Sequence, residues 1–241
     1  MTRTLLSLTG ADRVSFLQGL VTNDVTRPGL IYAALLTPQG KFMVDFFILA
    51  EKDSLLIDVA SSHAAPLNQR LSMYKLRADV TLAPDPRHVH LGLGTPPADA
   101  YTDPRTPEMG WRAYRDTAQI QVPDLTETRI NALVPETGIE LTPDSYILEM
   151  GFERLNGVDF KKGCYVGQEV TARMKHKTDL KKGLARVSLN GPATPGTEIS
   201  ANDKPAGTLH SVSGNRALAY LRFDRAQAEM TADTTKVTRD A

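Results

Sequence analysis

Apolar and polar positions change period several times along the 241 residues. Residues 3–8 alternate weakly, the period of a half-buried strand. Val14, Leu17 and Val21, with Phe16 and Leu20 beside them, recur at helical spacing and predict a helix running to about Leu20. Thr9 followed by Asp12 reads as a capping box, with Asp in place of Glu or Gln. Ile31 to Leu36, Phe42 to Leu49 and Ser54 to Val59 read as three strands. Thr37-Pro38-Gln39-Gly40 separates the first two as a turn, because proline fixes φ and glycine accepts positive φ. The order predicts an antiparallel meander. Ser61 or Ser62 is expected to cap a helix carrying Leu67, Leu71 and Tyr74.

Ala78 to Leu82, Val89 to Leu93 and Trp111 to Tyr114 are further strand candidates, and Thr95 to Pro107, with prolines at 96, 97, 104 and 107, reads as a loop. Glu127 to Val134 predicts a short helix, and Ser145 to Phe152 a second. Beyond Lys182 the pattern is all-β: 184–189, 198–200, 207–212 and 217–223, punctuated at Gly191-Pro192 and Pro195-Gly196. That predicts a small β domain of about 60 residues. The last dozen residues, from Met230, are polar and are expected to be loosely held. No internal repeat is present. The fold class read from this order is α+β.

Composition narrows the setting. Lys plus Arg and Asp plus Glu balance at 28 each, so the chain as a whole is no general nucleic-acid binder. The longest apolar run, Phe42 to Ala50, is interrupted by Asp45 and falls short of the roughly 18 residues of a membrane helix. The N-terminus has too short an apolar stretch for a signal peptide. One cysteine rules out an intramolecular disulfide and fits a reducing compartment. A cytoplasmic protein without membrane contact is the expectation. Charge is not uniform, however. Residues 161–186 carry Lys161, Lys162, Arg173, Lys175, Lys177, Lys181, Lys182 and Arg186 against Glu169 and Asp179, a net +6.

That basic window holds the lone cysteine, in Phe160-Lys161-Lys162-Gly163-Cys164-Tyr165-Val166-Gly167-Gln168-Glu169. A lone cysteine is commonly a buried apolar residue without chemistry. Here two glycines frame it, two lysines precede it, and Gly167 to Met174 can begin a helix whose N-terminus follows the thiol. Lysine and a helix N-terminus both favour the thiolate. The histidines, His63, His88, His90, His176 and His210, sit in no recognisable motif. His88 and His90 share one strand face, which suits a metal site or a solvated sheet equally. One cysteine cannot own an iron–sulfur cluster, which takes four ligands as a rule; any metal role is shared with a partner. The basic side chains can solvate a surface, bind a small polyanion such as a glutamate-tailed cofactor, or bind nucleic acid. Only Tyr165 supplies the stacking group that nucleic acid would want.

Asn156 to Arg173, "NGVDFKKGCYVGQEVTAR", closely resembles the signature of the YgfZ family of folate-binding proteins, with its core unbroken at Lys162 to Glu169. "GADRVSFLQGLVTNDV" (Gly10 to Val25), "LLTPQGKFMVDF" (Leu35 to Phe46), "YKLRADV" (Tyr74 to Val80) and "AGTLHSVSGNRALAYLR" (Ala206 to Arg222) are similar to other family segments. The resemblance implies a fold like the T-protein of the glycine cleavage system: a three-domain ring around a central folate channel. Residues 1–30 and 125–180 would form a folate-binding domain, 31–124 an α+β ferredoxin-like domain, and 181–241 a small β-barrel-like domain. It also implies tetrahydrofolate, or a one-carbon derivative, as cofactor. A shared iron–sulfur cluster, an A-type scaffold protein and iron–sulfur client enzymes follow as partners.

Onto this chain the resemblance carries Cys164 as a cluster-ligating or redox thiolate and Lys162 as the cation that keeps it ionised. Leu148-Glu149-Met150-Gly151 matches the T-protein stretch whose carboxylate holds the pterin, so Glu149 is the expected pterin ligand. Gln168 and Arg173 would orient the loop or hold the folate tail, and Tyr74, Arg77, Lys41 and Asp24 would add folate contacts. The T-protein catalytic aspartate aligns with Pro66, which cannot do acid–base chemistry, so aminomethyl transfer is not expected. The leading expectation is a tetrahydrofolate-binding accessory factor for assembly or repair of iron–sulfur proteins. A folate-dependent one-carbon transferase and a tRNA-modification accessory protein are the alternatives.

Overall fold

The computed structural model describes residues 2–176 and 179–240; Lys177 of the basic window lies outside the described residues. The chain divides into two compact units, Met1–Pro123 with Glu153–Val170, and Asp124–Phe152 with the residues from Thr171 on. No helix among the described residues is long and apolar enough to cross a membrane.

The first unit is α+β. Strand β1 (Arg3–Thr9), helix α1 (Arg13–Gln18), strands β2 (Leu30–Leu36), β3 (Phe42–Ala50) and β4 (Leu55–Ala60), helix α2 (Ser61–Lys75) and strand β5 (Thr81–Pro84) come first. Five of them form an antiparallel sheet in the order β2-β3-β4-β1-β5, so the expected meander is extended by β1 beside β4 and β5 beside β1. Strands β6 (His88–Gly92), β7 (Tyr101–Thr102) and β8 (Trp111–Arg115) make a three-stranded sheet, order β6-β8-β7. One face of the large sheet buries Leu6, Val44, Phe46, Ile48, Ile57 and Val59 against Leu17 of α1 and Leu67 and Leu71 of α2. This apolar face fixes both helices, since period 2 on the strands meets i, i+4 spacing on α2.

Several local expectations need correction. Thr9 ends β1 and donates its hydroxyl to the Thr81 carbonyl; it caps nothing. Asp12 is the N-cap position without a side-chain cap, and its carboxylate instead accepts the Asp79 N–H at 2.8 Å. Helix α2 begins after Ala60, so neither Ser61 nor Ser62 is its N-cap; the Ser61 hydroxyl accepts from Thr4. Residues 78–80 are irregular rather than strand, with Ala78 N–H on the Lys75 carbonyl, and the strand starts at Thr81. The Thr95–Pro107 loop contains the two-residue strand β7.

In the second unit, helix α3 (Thr126–Asn131) precedes a run of turns; helix α4 (Gln168–His176) begins in the first unit and enters the second at Thr171, ahead of the β domain in the chain. Ser145 to Phe152 is no helix: its bonds run Met150 to Tyr146, Gly151 to Leu148 and Phe152 to Ile147, a set of turns that buries Ile147, Leu148, Met150 and Phe152. Strands β9 (Lys182–Asn190), β10 (Glu198–Ala201), β11 (Lys204–Ser213), β12 (Arg216–Arg222), β13 (Met230–Ala232) and β14 (Thr235–Arg239) close a barrel in the order β10-β11-β12-β9-β14-β13. Residues 230–239 are therefore not loosely held. Met230, Ala232, Thr235 and Val237 point inward, and β14 pairs with β9 over Lys236–Arg239. Closure removes both sheet edges, which offsets the polar composition of these two strands.

Candidate functional site

The cysteine segment is tied to the loop that follows α1. Thr22 donates its hydroxyl to the Gly157 carbonyl at 2.6 Å, and the Asp159 N–H returns to the Thr22 carbonyl at 2.9 Å. The buried Asn23 amide donates to the Tyr32 and Asn156 carbonyls at 2.8 and 2.7 Å. Asp159 accepts from Arg27 at 2.5 Å and from the Lys161 N–H at 2.7 Å. Lys162 completes the join. Its side chain is buried and Nζ donates to the carbonyls of Gln18, Val21 and Asn23 at 2.7, 2.5 and 3.0 Å. An ammonium has three protons, and three carbonyls take them. Those carbonyls lie in and just beyond the last turn of α1, where the helix leaves acceptors unsatisfied. Burial draws the Lys162 pKa down to about 8, while Asp24 and Asp159 pull the other way.

Two glycines let the segment touch the β2–β3 turn. Gly167 has φ +84, and a Cβ there would sit 2.6 Å from the Thr37 carbonyl oxygen. Gly40 has φ +74, and a Cβ there would meet Val170 at 2.8 Å. Both positions need the left-handed backbone and the missing side chain at once. Gly163, by contrast, has open space around it. Between them Cys164 is exposed, and Gln168 opens α4 with its N–H on the Tyr165 carbonyl at 3.2 Å. The result is a solvent-facing thiol on a loop whose two flanks are pinned.

Other expected site residues distribute as follows. Asp24 lies beside Lys162 and accepts from Thr26 and Gln18; the Thr26 hydroxyl and N–H hold its carboxyl below the usual range against a burial cost. Lys41 is half-buried after the β2–β3 turn, its N–H on the Thr37 hydroxyl at 3.1 Å. Tyr74 packs against the apolar core from the end of α2, and Arg77 is exposed just beyond it. Pro66 is an exposed residue inside α2. Arg173 is exposed in the last turn of α4. His88 is exposed, whereas His90 is buried with Nε2 2.6 Å from the Thr117 carbonyl oxygen. They do not share a metal site: among the described residues no group of three or more His, Cys, Asp or Glu could hold an ion.

Glu149 belongs to the second unit. Its carbonyl accepts the Leu184 N–H at 2.8 Å, and its carboxylate Oε2 accepts the Tyr220 hydroxyl at 2.6 Å. The carboxylate is half-buried and keeps Oε1 for a further donor. Tyr220 escaped the sequence reading because a tyrosine in an alternating strand looks like an ordinary β-former.

A second group also escaped it. On the face of the large sheet opposite the apolar core, Asp58 accepts from Arg3 at 2.6 Å and from Arg112 at 2.9 Å. Asp103 accepts from Arg105 at 2.8 Å, and Tyr32 donates to Asp45 at 2.8 Å. The Arg112 guanidinium lies 3.6 Å from the Phe47 ring centroid, with Arg105 at 4.9 Å and Arg3 at 5.4 Å from the same ring. Burial works against the Asp103 charge, yet Arg105 and Arg112 hold the carboxyl below its ordinary pKa. The only sequence signal was a pair of aspartates, Asp45 and Asp58, interrupting apolar strands.

Residues 181–240 match the family described as CAF17, C-terminal beta-barrel domain. Over its whole length the chain shares the fold of the glycine cleavage system aminomethyltransferase T from Bartonella henselae, with a TM-score of 0.76 at 12% identity, covering 98% of this chain and 82% of that one. The mitochondrial iron-sulfur cluster assembly factor IBA57 of Mus musculus is 32% identical, over 92% of this chain and 76% of the relative. That of Homo sapiens is 32% identical, over 91% and 75%. These relatives are mitochondrial proteins, which overturns the expectation of a cytoplasmic one. A single cysteine does not distinguish one reducing compartment from another. By identity and by coverage of both chains, this protein belongs to the IBA57 family of iron-sulfur cluster assembly factors.

Proposed function

We propose that the protein is a folate-binding accessory factor in the assembly or repair of iron–sulfur proteins, and that Cys164 is its contact with the cluster as cargo. The observation that carries this is an exposed thiol on a loop pinned at both flanks, in a chain whose described residues offer no metal cage. Such a thiolate can complete a ligand set but cannot make one. Its partner is accordingly a scaffold with cysteines of its own, of the A-type, and the chain's recipients are iron–sulfur enzymes.

The residues around Glu149 suit a reduced pterin. A half-buried carboxylate with one oxygen already oriented can accept two parallel N–H donors from the pterin amino edge. Bound there, tetrahydrofolate would supply a one-carbon carrier. The chain's own part is to bind and orient it. The resemblance aligns Pro66 with the T-protein's catalytic aspartate, and proline does no acid–base chemistry, so aminomethyl transfer is not part of the proposal.

The test is reconstitution with a purified A-type scaffold carrying a [2Fe–2S] cluster. Mixing should give a stable heterocomplex with an altered visible absorption and circular dichroism spectrum, and Cys164→Ala should bind without that spectral change. An unchanged spectrum with the wild-type chain, or an identical change with Cys164→Ala, refutes the role of the thiol.

A further inference from the structure

Glu149 is gripped twice by one rung of the barrel. The β9–β12 ladder places Leu184 opposite Tyr220. Leu184 donates its N–H to the Glu149 carbonyl at 2.8 Å, and Tyr220 donates its hydroxyl to the Glu149 carboxylate at 2.6 Å. Gly183, one residue earlier, leaves the room for this approach: a Cβ there would lie 3.0 Å from the Glu149 carbonyl oxygen and 3.0 Å from the Phe223 ring. Backbone and side chain of one glutamate are thus fixed by neighbouring residues of two paired strands.

We propose that Tyr220 is a positioning residue that sets the plane of the Glu149 carboxylate for two-point recognition of the 2-amino and N3–H edge of a reduced pterin; this rests on the folate reading above. A carboxylate on a glutamate turns readily about its last torsion, which is broad and roughly two-fold. A pterin edge needs both oxygens in one plane facing two parallel donors. The Tyr220 bond takes one acceptor site of Oε2 and leaves Oε1 and the second site of Oε2 in a fixed plane. Burial, then the hydrogen bond and charge of Glu149, push the Tyr220 phenol well above its ordinary pKa, so it acts as a donor throughout the neutral range. Preorganising the acceptor removes an ordering cost from binding.

The experiment is a two-by-two titration by calorimetry. Wild type and Tyr220→Phe are each titrated with 5-formyltetrahydrofolate and with its 2-desamino-2-methyl analogue, which lacks the amino donor. Glu149→Gln serves as the check on the folate reading itself. Tyr220→Phe should lose roughly tenfold in affinity for the amino ligand and at most about twofold for the analogue. A purely structural role for Tyr220 would lower both affinities alike. The ratio of the two affinities is read on folded protein, so partial unfolding of the variant does not mimic the effect. If wild type binds neither ligand, the folate reading falls and this inference with it. If wild type binds and Glu149→Gln weakens it, but Tyr220→Phe leaves the ratio unchanged, the inference alone is overturned.

Discussion

The two faces of the five-stranded sheet are both buried and are held by opposite chemistry. On one, Leu6, Phe46, Ile57 and Val59 pack against the helices with no polar group among them. On the other, the adjacent residues along each strand, Leu5, Phe47 and Asp58, lie on the side of the layer formed by Asp103, Arg105 and Arg112. The first face is stabilised by area removed from water, the second by three arginines and three aspartates whose charges balance around the Phe47 ring. An apolar face tolerates replacement in proportion to volume. A charged one tolerates it only if whole pairs go together, because a single deletion strands a buried charge.

The largest effects should come from deleting one group on each face. Phe46→Ala and Asp58→Ala should each lower unfolding free energy by about 3–5 kcal/mol in urea melts. Their repairs should then diverge. Phe46→Leu restores an apolar group and should recover most of the loss. Asp58→Asn keeps volume and hydrogen-bonding atoms and should recover little, because Arg3 and Arg112 lose the anion they share. Asp58→Asn as stable as wild type would mean that packing, not charge, holds this face.

A smaller effect should separate the faces by coupling. Asp58→Ala and Arg112→Ala share a bond of 2.9 Å, so the double variant should be more stable than the two losses added together, by about 0.5–3 kcal/mol. Phe46→Ala with Arg112→Ala, on opposite faces, should add to within about 0.5 kcal/mol. Strong coupling in the second pair would show that the sheet transmits strain from one face to the other, and the contrast between them would dissolve.

The apolar face was legible in the sequence because the apolar runs of β2, β3 and β4 and the Leu67, Leu71 spacing on α2 are local patterns. The charged face was not. Asp45 and Asp58 read as ordinary interruptions; Arg3 sits on β1, and Arg105 and Arg112 sit in or after a proline-rich loop far along the chain. Pairing at such separation leaves no trace in a single sequence. The cysteine loop was legible as unusual through its glycines and lysines. The three carbonyls that receive Lys162 were not, since they lie where α1 ends and carry no side-chain signature. Strands β13 and β14 were hidden for a third reason: closing a barrel lets every second residue be polar, so composition outweighed the inward Met230, Ala232 and Val237.

Lys162 sharpens the comparison further, because it is a buried cation met by carbonyls rather than by carboxylate contacts. Arginine keeps its proton at any pH a protein survives, so Arg3 and Arg105, both held more firmly protonated by their aspartates, should be silent in alkaline titration. Lys162 should not be. Its folded pKa is about 8 against an ordinary 10.5, so between those values the unfolded chain binds the proton more fully than the folded one. Stability rises with pH wherever the unfolded state holds more protons. The contribution from Lys162 is therefore least favourable below about pH 8 and should improve as pH climbs towards 10.5. Urea melts at pH 7, 8, 9 and 10 on wild type and Lys162→Met measure it by difference, which cancels the other lysines and tyrosines. The gap between the two proteins should shift in favour of wild type across that range. A gap that stays constant, or one that shifts towards the variant, would show that the three carbonyls keep the ammonium charged and that burial sets its stability less than its hydrogen bonds do.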